Sequence, residues 1–239
     1  MTPYIVINGV SSKSINGLLI QTLPPISKPK QRVQTEEIDG RDGDIITPLG
    51  YAAYDKQFSI GLRGEYNVDD VIEYLNTEGK ITFSNEPDKY YNFTQLEQVD
   101  FEKLIRYKTA RVSLHVQPFK YSAYETAKSY TYESGTTGAT ISVRNNGNTY
   151  SKPTLSLTGT GDIYVYLGNT QIFLIELGAT STTITIDAEA MNAYGNNGNY
   201  LNRLVTGDYD NLKLSAGANT LTISGSVTAA EISNYSRWI

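Results

Sequence analysis

The sequence predicts a mainly β protein, and three features support this prediction. Apolar residues recur at every second position in short runs, as at Phe58, Ile60 and Leu62, which is the period of a half-buried strand. Turns rich in Gly, Asn and Asp separate these runs at short intervals. Strand and helix patterns do not alternate along the chain, so we expect antiparallel sheets and no parallel βαβ units.

A change in composition divides the chain into two predicted domains, 1–122 and 123–239. Of the 45 charged residues, 31 lie in 1–125, and the remainder of the chain is rich in Thr, Ser, Gly and Asn instead. Pro118 cannot donate to a strand ladder, so we expect it to end a strand at the start of a linker over 118–128. With 239 residues, each domain is long enough to have its own core.

Most of the first domain is predicted to be β structure. Strands at 4–7 and 14–20 are expected to pair, and the strand at 109–116 alternates strictly between apolar and polar residues. The proline-rich segment 23–29 is predicted to be a connection, because prolines exclude it from the centre of a sheet. The strand at 32–38 leads into an acidic turn.

This turn reads Gly40-Arg41-Asp42-Gly43 and is followed by a short loop and then the strand that contains Phe58. The two glycines can adopt a positive φ, which other residues avoid. The side chains of Asp42 and Asp44 are expected to hydrogen-bond back to the turn. The pattern indicates a β scaffold and places no catalytic group here.

One short helix is predicted at 68–77. Asn67 is a suitable N-cap, and Gly79 can terminate the helix. The apolar side chains share one stripe, so the helix is expected to pack on the sheet; they are Val68, Val71, Ile72 and Leu75.

The second domain is predicted to be an antiparallel sandwich or jelly roll. Its short strands are expected at 139–145, 153–159, 162–168, 170–177, 182–187, 211–217 and 219–225. Gly159-Thr160-Gly161 is interpreted as a tight turn between two of them. The C-terminal segment 228–239 carries a capping-box pattern at Thr228 and Glu231, but we favour a closing strand, because tertiary context overrides short propensity signals.

Composition excludes several classes of function. The net charge of −5 argues against a surface built to bind nucleic acid. The chain has no cysteine, which excludes disulfides, thiol nucleophiles and cysteine-ligated zinc. The start of the chain lacks the pattern of a secretory signal, and no apolar run has the about 20 residues of a membrane helix. We therefore expect folding in a reducing cytoplasm and no membrane segment.

No catalytic residue, metal site or cofactor is predicted. His115 is the single histidine and lies on the polar face of its strand, where a surface or interface role is favoured over catalysis. Nucleophile-elbow and phosphate-loop motifs are absent. The carboxylate pairs Asp187 with Glu189 and Asp208 with Asp210 could hold calcium or serve a glycosidase, but solvated turns are the favoured interpretation.

Several segments, taken in order, resemble the distal tail protein (Dit) family of long-tailed phages. They are 38–64, 70–92, 109–122, 145–169, 184–187 and 214–225, so the likeness covers nearly the whole chain. The turn and motif residues that carry the resemblance are Gly40, Arg41, Asp42, Gly43, Tyr54, Tyr90, Tyr91 and Pro118. For the fold, the resemblance implies a β-sandwich or split-barrel-like first domain and a second domain similar to galectin or carbohydrate-module folds.

For function, the resemblance implies a structural virion protein at the tail tip, made in the host cytoplasm and acting as a homohexameric ring. The implied partners are the tail tube protein on one face of the ring and a tail-associated lysin or fibre protein on the other. A receptor-binding protein is a further candidate partner, although this chain is short for the family and lacks a long inserted arm. The alternative function is host-surface adhesion by a carbohydrate-binding module, since 19 tyrosines could stack on sugars or serve protein contacts.

Overall fold

The structure is a computed structural model, and it describes residues 2–94, 99–133 and 138–239. The chain divides into two compact units, Met1–Ala123 with Ile239, and Tyr124–Trp238. Each unit has its own cluster of buried apolar side chains. Within the described residues, we find no helix that combines the length and the apolar character needed to cross a membrane.

The first unit is a curled antiparallel sheet with two helices and a separate hairpin. In chain order its elements are β1 (Ile5–Ile7), β2 (Val10–Ser11), β3 (Leu18–Thr22), β4 (Gln31–Glu37), β5 (Asp44–Tyr51), β6 (Tyr54–Leu62), α1 (Val68–Leu75), β7 (Gly79–Phe83), β8 (Lys89–Thr94), α2 (Phe101–Tyr107) and β9 (Thr109–Ser122). The strands of the sheet follow the order β2-β1-β7-β8-β9-β6-β3, and β4 pairs with β5 in a sheet of its own.

The alternating patterns of β6 and β9 form the centre of this sheet. Phe58, Ile60 and Leu62 are buried in β6, and Val112 and Leu114 are buried in β9, as their period of two predicts. The two strands pair in register from Tyr54–Val116 to Gly61–Thr109. Both helices contribute to the same core, and α2 packs against β9 and β6.

The predicted helix forms as α1, and a second helix is added. The Asn67 side chain accepts a hydrogen bond from the Asp69 N–H at 3.1 Å, as an N-cap should. The helix ends at Leu75, before Gly79, which begins β7. The prediction of a single helix was wrong, because the seven-residue α2 is too short to be marked by propensity and depends on packing of Leu104.

The predicted pairing of 4–7 with 14–20 was also wrong. Instead, β1 pairs with β2 and β7, and β3 pairs with β6. The reason is a two-residue hairpin turn at Asn8 and Gly9, whose φ angles of 47° and 87° are both positive. An Asn-Gly pair suits this turn and brings the chain back at once, so the partner of β1 is local.

Pro118 does not end β9, which continues to Ser122, so the predicted strand end was wrong. The residue lies where the pairing changes: Val116 is the last partner of β6 on this side, and the partners along β8 shift between Tyr91 and Phe93. A proline at a ladder irregularity costs no hydrogen bond, which explains why the strand tolerates it.

The second unit is an antiparallel sheet that curls around one core, in agreement with the predicted sandwich. The strands of the sheet are β10 (Lys128–Thr131), β11 (Gly138–Asn145), β12 (Thr154–Leu167), β13 (Thr170–Glu176), β14 (Thr182–Asp187), β15 (Asn192–Gly195), β16 (Val205–Gly207) and β17 (Gly217–Ser233). The unit also contains β18 (Arg237–Trp238), which is not part of this sheet. The strands β10, β15 and β16 were not predicted.

The two longest strands of this unit, β12 and β17, bend at glycines and so pair in both halves of the sheet. The first half of β12 pairs with β14, its second half pairs with β13, and β17 follows both. The predicted turn at Gly159–Gly161 is therefore wrong: it is a bend inside β12, at two register shifts. A Cβ on Gly225 would lie 2.4 Å from the Asp162 carbonyl oxygen, so the bend requires glycine there.

The end of the chain is strand, as we expected. Residues 228–233 continue β17, and the capping-box alternative is wrong. The predicted strand at 211–217 is largely absent, since Tyr209–Asn211 is a short 3-10 turn and Leu214 makes a single bridge to Ser151. The Asp208 side chain accepts the Asp210 N–H at 2.8 Å, which favours the turn.

Candidate assembly site

The first unit carries a two-stranded hairpin that lies outside its core. We call β4, β5 and the turn at 38–43 the hairpin arm. All seven residues of β4 are exposed, and β5 is exposed or half-buried throughout. The strands pair from Gln31–Tyr51 at the base to Glu37–Asp44 at the tip. An isolated two-stranded hairpin is only marginally stable in water, so the arm needs a further surface.

The resemblance turn Gly40-Arg41-Asp42-Gly43 forms the tip of this arm. Gly40 and Gly43 have φ angles of +82° and +76°, and no atom lies within 4 Å of a Cβ placed on either. Their conformation, not crowding, therefore requires glycine. The Arg41 N–H donates to the Ile38 carbonyl at 3.1 Å and closes the turn. The carboxylates of Asp42 and Asp44 accept no hydrogen bond from a described atom. The expected hydrogen bonds from the turn to these side chains are therefore not formed.

One face of the arm carries exposed apolar side chains near its middle. Val33 pairs with Pro48, and Ile46 pairs with Thr35 on the next rung of the same face. Val33 is 44% exposed and Ile46 is 62% exposed. Apolar side chains this exposed on a strand pair with two free edges are a surface for protein contact.

A short connection attaches the arm to the sheet. Residues 23–30 form no strand, as their prolines predict, and three of their carbonyl groups accept hydrogen bonds from side chains of β6 and of the turn between β7 and β8. Asn85 donates to the Pro24 carbonyl at 3.0 Å, Lys56 donates to the Pro25 carbonyl at 2.9 Å, and Tyr54 donates to the Ser27 carbonyl at 3.4 Å. The base closes where the Ala52 N–H donates to the Lys30 carbonyl at 2.8 Å. The connection is therefore fixed at three successive points.

Lys56 is the central group of this attachment, and sequence reasoning missed it. It stands two residues before Phe58 and shares the buried face of β6, with 3% of its surface exposed. Its ammonium lies 4.8 Å from the centre of the Tyr91 ring and 5.5 Å from that of Tyr54. Burial lowers the pKa of Lys56 to about 8, although the nearby carboxylate of Glu86 acts in the opposite direction.

A second lysine and a glutamate complete the buried charge cluster, which comprises Lys56, Glu86 and Lys120. Lys120 Nζ lies 2.9 Å from Glu86 Oε1, and their side chains are 7% and 12% exposed. The Tyr91 hydroxyl donates to Glu86 Oε2 at 3.1 Å. Burial raises the pKa of both Tyr91 and Tyr54, so these hydroxyls stay protonated donors.

The other resemblance residues have separate places. Tyr54 and Tyr91 meet at the buried charge cluster, while Tyr90 points to the opposite face of β8 and stacks on Tyr121 with ring centres 5.6 Å apart. Tyr51 at the base of the arm packs edge-on against Phe119, again at 5.6 Å. The structure therefore brings two of the motif tyrosines to the attachment and leaves the glycine turn at the tip.

The histidine and the carboxylate pairs have structural partners. His115 Nδ1 lies 2.7 Å from Asp55 Oδ1 across the β6–β9 pair. Asp187 accepts two backbone N–H groups, at 3.0 and 2.9 Å, and Glu189 lies 2.7 Å from Arg237.

The remaining pair, Asp208 and Asp210, is also engaged. Asp208 caps the turn at Tyr209–Asn211, and Asp210 pairs with Lys213 and, at 2.9 Å, with Lys152. These lysines lower the pKa of Asp210 to about 2. The described residues include no group of three or more His, Cys, Asp and Glu side chains that could hold a metal.

Comparison with known proteins finds relatives by fold and not by sequence. No protein-family model and no curated protein sequence matches the chain. The chain is similar to the Dit protein of phage SPP1, a paradigm of the hub adsorption apparatus in phages that infect Gram-positive bacteria, with 17% identity, full coverage of both chains and a TM-score of 0.62.

It is also similar to chains of the phage P2 baseplate in its activated conformation. For the baseplate with calcium, 97% of each chain is covered at 9% identity and a TM-score of 0.56. For the baseplate with strontium, 97% of this chain and 96% of that chain are covered at 9% identity and a TM-score of 0.53. The Dit resemblance is thus confirmed at the level of the fold, over both units.

Proposed function

We propose that this chain is a structural protein of a phage tail tip, a distal tail hub subunit that assembles with copies of itself into a ring of six. The fold shared with hub and baseplate proteins over the full chain supports the structural role. The assembly is proposed from the hairpin arm, whose strands pair only with each other among the described residues.

The arm suits a contact between identical subunits. Its apolar face, with Val33 and Ile46, gains stability when a neighbouring copy covers it. A contact in which each subunit extends its arm onto the next is heterologous and closes into a ring when the rotation fits. Carboxylates concentrated near the tip can set the register of that contact; they are Glu36, Glu37, Asp39, Asp42 and Asp44.

The role of the proposed ring is structural and not enzymatic. One face of the ring would contact the tail tube protein, and the other a tail-associated lysin or a fibre protein. The second unit would lie at the periphery, where a receptor-binding protein is a further candidate partner. Neither a cofactor nor a catalytic group is required for this role, and the virion tail tip is the proposed location.

Removing the arm tests the proposal directly. Lys30 and Ala52 are already joined by a backbone hydrogen bond, so replacing 31–51 with Asn-Gly should close the chain without disturbing the sheet. Light scattering should give about six times the chain mass of 26.4 kDa for the intact protein, or the mass of a complex with six copies of it when tail partners are present, and the monomer mass for the deletion.

A point variant refines the same test. Ile46→Asp places a charge on the apolar face of the arm and should disrupt the ring, whereas Val10→Asp is a matched control, since Val10 is 47% exposed and lies off the arm. Both variants should keep the circular dichroism of the parent. Rings that persist in the arm deletion, or a parent that stays monomeric even with the tube protein, would overturn the proposal.

A further inference from the structure

The second unit presents a row of polar side chains across one face of its sheet. Direct partners in antiparallel strands point to the same face, so the register places six side chains on one line. We call this line the polar rung; it comprises Ser129, Glu231, Ser156, Thr185, Tyr194 and Tyr200. With strands about 4.8 Å apart, the rung is about 24 Å long.

The rung faces away from the core. The next residues along three of these strands, Leu157, Ile184 and Ala230, point to the other face and are buried. A groove of about 260 Å³ lies along the outer face, lined in part by Ser129, Ser156 and Glu231. The register beside the rung explains the groove: Ala229 stands between Thr131 and Thr158, and its short side chain leaves room above the sheet.

The rung offers hydroxyl groups, one carboxylate and two aromatic rings. Ser129 donates to Glu231 at 2.8 Å, and Thr185 donates to Ser156 at 3.1 Å, which leaves further acceptor positions on each. Glu231 is exposed and makes no ion pair with a described lysine or arginine. The hydroxyls of Tyr194 and Tyr200 have no described partner, and Tyr200 is 73% exposed.

This chemistry selects among ligand classes. The rung has no basic side chain, so an anionic ligand such as a nucleic acid or an acidic polymer would meet Glu231 without compensation. Its centre has no large apolar side chain of the kind that anchors a protein interface. A polyhydroxyl chain fits on both counts, because its hydroxyls can donate to the carboxylate and its apolar C–H faces can pack on tyrosine rings.

We propose that the polar rung binds a neutral oligosaccharide laid across the strands, with Glu231 as the main acceptor and Tyr194 as the stacking ring. This site lies in the second unit and does not depend on ring assembly by the hairpin arm. The alternative function predicted from the sequence is adhesion to a host-surface sugar. The polar rung gives this function a specific location within a structural protein.

The test is a glycan array probed with the full-length protein. The array should carry neutral oligosaccharides of four to six hexose or N-acetylhexosamine rings together with sulfated and uronic-acid oligosaccharides. We expect binding to a neutral member, followed by titration calorimetry with that oligosaccharide. Glu231→Gln and Tyr194→Ala should each raise its Kd at least about tenfold, since hydrogen bonds to charged groups are among the stronger ones.

Matched controls lie on the outer face of the other half of the sheet. Glu176→Gln, at an exposed position of β13, and Tyr164→Ala in β12 should leave the Kd unchanged. The proposal is overturned if no neutral oligosaccharide binds, if only acidic ones bind, or if Glu231→Gln and Tyr194→Ala bind as the parent does. Light scattering on the same variants should give the parent mass, which separates this site from the assembly proposal.

Discussion

The hairpin arm of the first unit and the long strands of the second unit are both antiparallel pairs, but only the second are covered by a core. In β12 and β17, Leu157, Val165 and Ile223 are fully buried. In the arm, Val33 and Ile46 are largely exposed, and no described atom lies within 4 Å of a Cβ placed on Gly40 or Gly43 at the tip. β4 and β5 therefore bury little apolar surface within their own unit, which leaves them available for the proposed contact with another copy.

The two units also differ in how they satisfy polar groups. The first unit buries charges: Lys56, Glu86 and Lys120 lie beside the attachment of the arm. The second unit buries the charged side chain of Arg237, which pairs with Glu189 at 2.7 Å, and it also uses uncharged hydroxyls across its sheet, such as the Thr158–Thr183 pair at 2.8 Å. Buried charges are costlier to leave unpaired than half-buried hydroxyls, so substitutions in the buried charge cluster should have the larger effects on stability.

The largest effect is expected from Lys120→Ala. It leaves the Glu86 carboxylate buried without its ammonium partner at 2.9 Å, so the free energy of unfolding should fall by about 3–5 kcal/mol. Urea denaturation measures this change in the free energy of unfolding. Lys89→Ala is the control, because its partner Asp88 is 55% exposed and the loss should stay below about 1 kcal/mol. Equal losses would remove the distinction between buried and surface charge in this unit.

A smaller effect is expected at the start of the second unit. Fragments 124–239 and 126–239 should both fold cooperatively, as the two separate cores predict. The shorter fragment lacks Glu125, whose carboxylate accepts the N–H groups of Tyr235 at 2.9 Å and Ser236 at 3.2 Å. It should be less stable by about 1–3 kcal/mol, the cost of unsatisfied donors.

The same effect can be checked in the full chain by thermal or urea unfolding. Glu125→Ala should reproduce the loss, and Glu125→Gln, which keeps an acceptor oxygen, should recover most of it. If 124–239 is unfolded by circular dichroism, the second unit is not an independent domain and the proposed boundary fails.

Lys56 should make the stability of the first unit depend on pH in the alkaline range. Its pKa is about 8 in the folded chain and 10.5 in the unfolded one, so the unfolded chain holds the proton more tightly. The contribution of Lys56 to the free energy of unfolding should therefore rise as pH increases from about 8 toward 10.5, where the folded amine is already neutral.

Comparison of the parent with Lys56→Met isolates this contribution. The difference in their free energies of unfolding, measured by urea titration at pH 7 and at pH 9.5, should change in favour of the parent at the higher pH. Lys13→Met, which alters an exposed lysine, is the control and should show no such change. If the free energy of unfolding of the parent falls relative to that of Lys56→Met as pH rises, the predicted direction of the pH dependence is wrong.

His115→Ala should have the smallest effect. The imidazole lies 2.7 Å from Asp55, but the two side chains are 34% and 56% exposed, and such a pair contributes about 0–1 kcal/mol. Assembly measured by light scattering should be unchanged. A loss above about 2 kcal/mol would show that this polar face of β9 is covered in the folded protein.

Local patterns determined a large part of this fold. The period of two in β6 and β9 and the Asn67 cap of α1 follow from neighbouring residues, and both are confirmed. The order of short strands and turns also sufficed for a mainly β fold and for the resemblance that the structural comparison supports. Such features depend on contacts within a few residues, which a sequence displays directly.

The other features of the fold and of the two proposed sites depend on tertiary structure, because strand pairing joins residues that are distant in the chain. Nothing local marks Lys56 as buried; its place follows from the register of β6 against β9 and from Glu86, 30 residues later. The polar rung needs Ser129, Ser156 and Glu231 to meet across three strands. Likewise, the exposure of the hairpin arm follows from the absence of a third strand beside it in the described chain, which no periodicity could reveal.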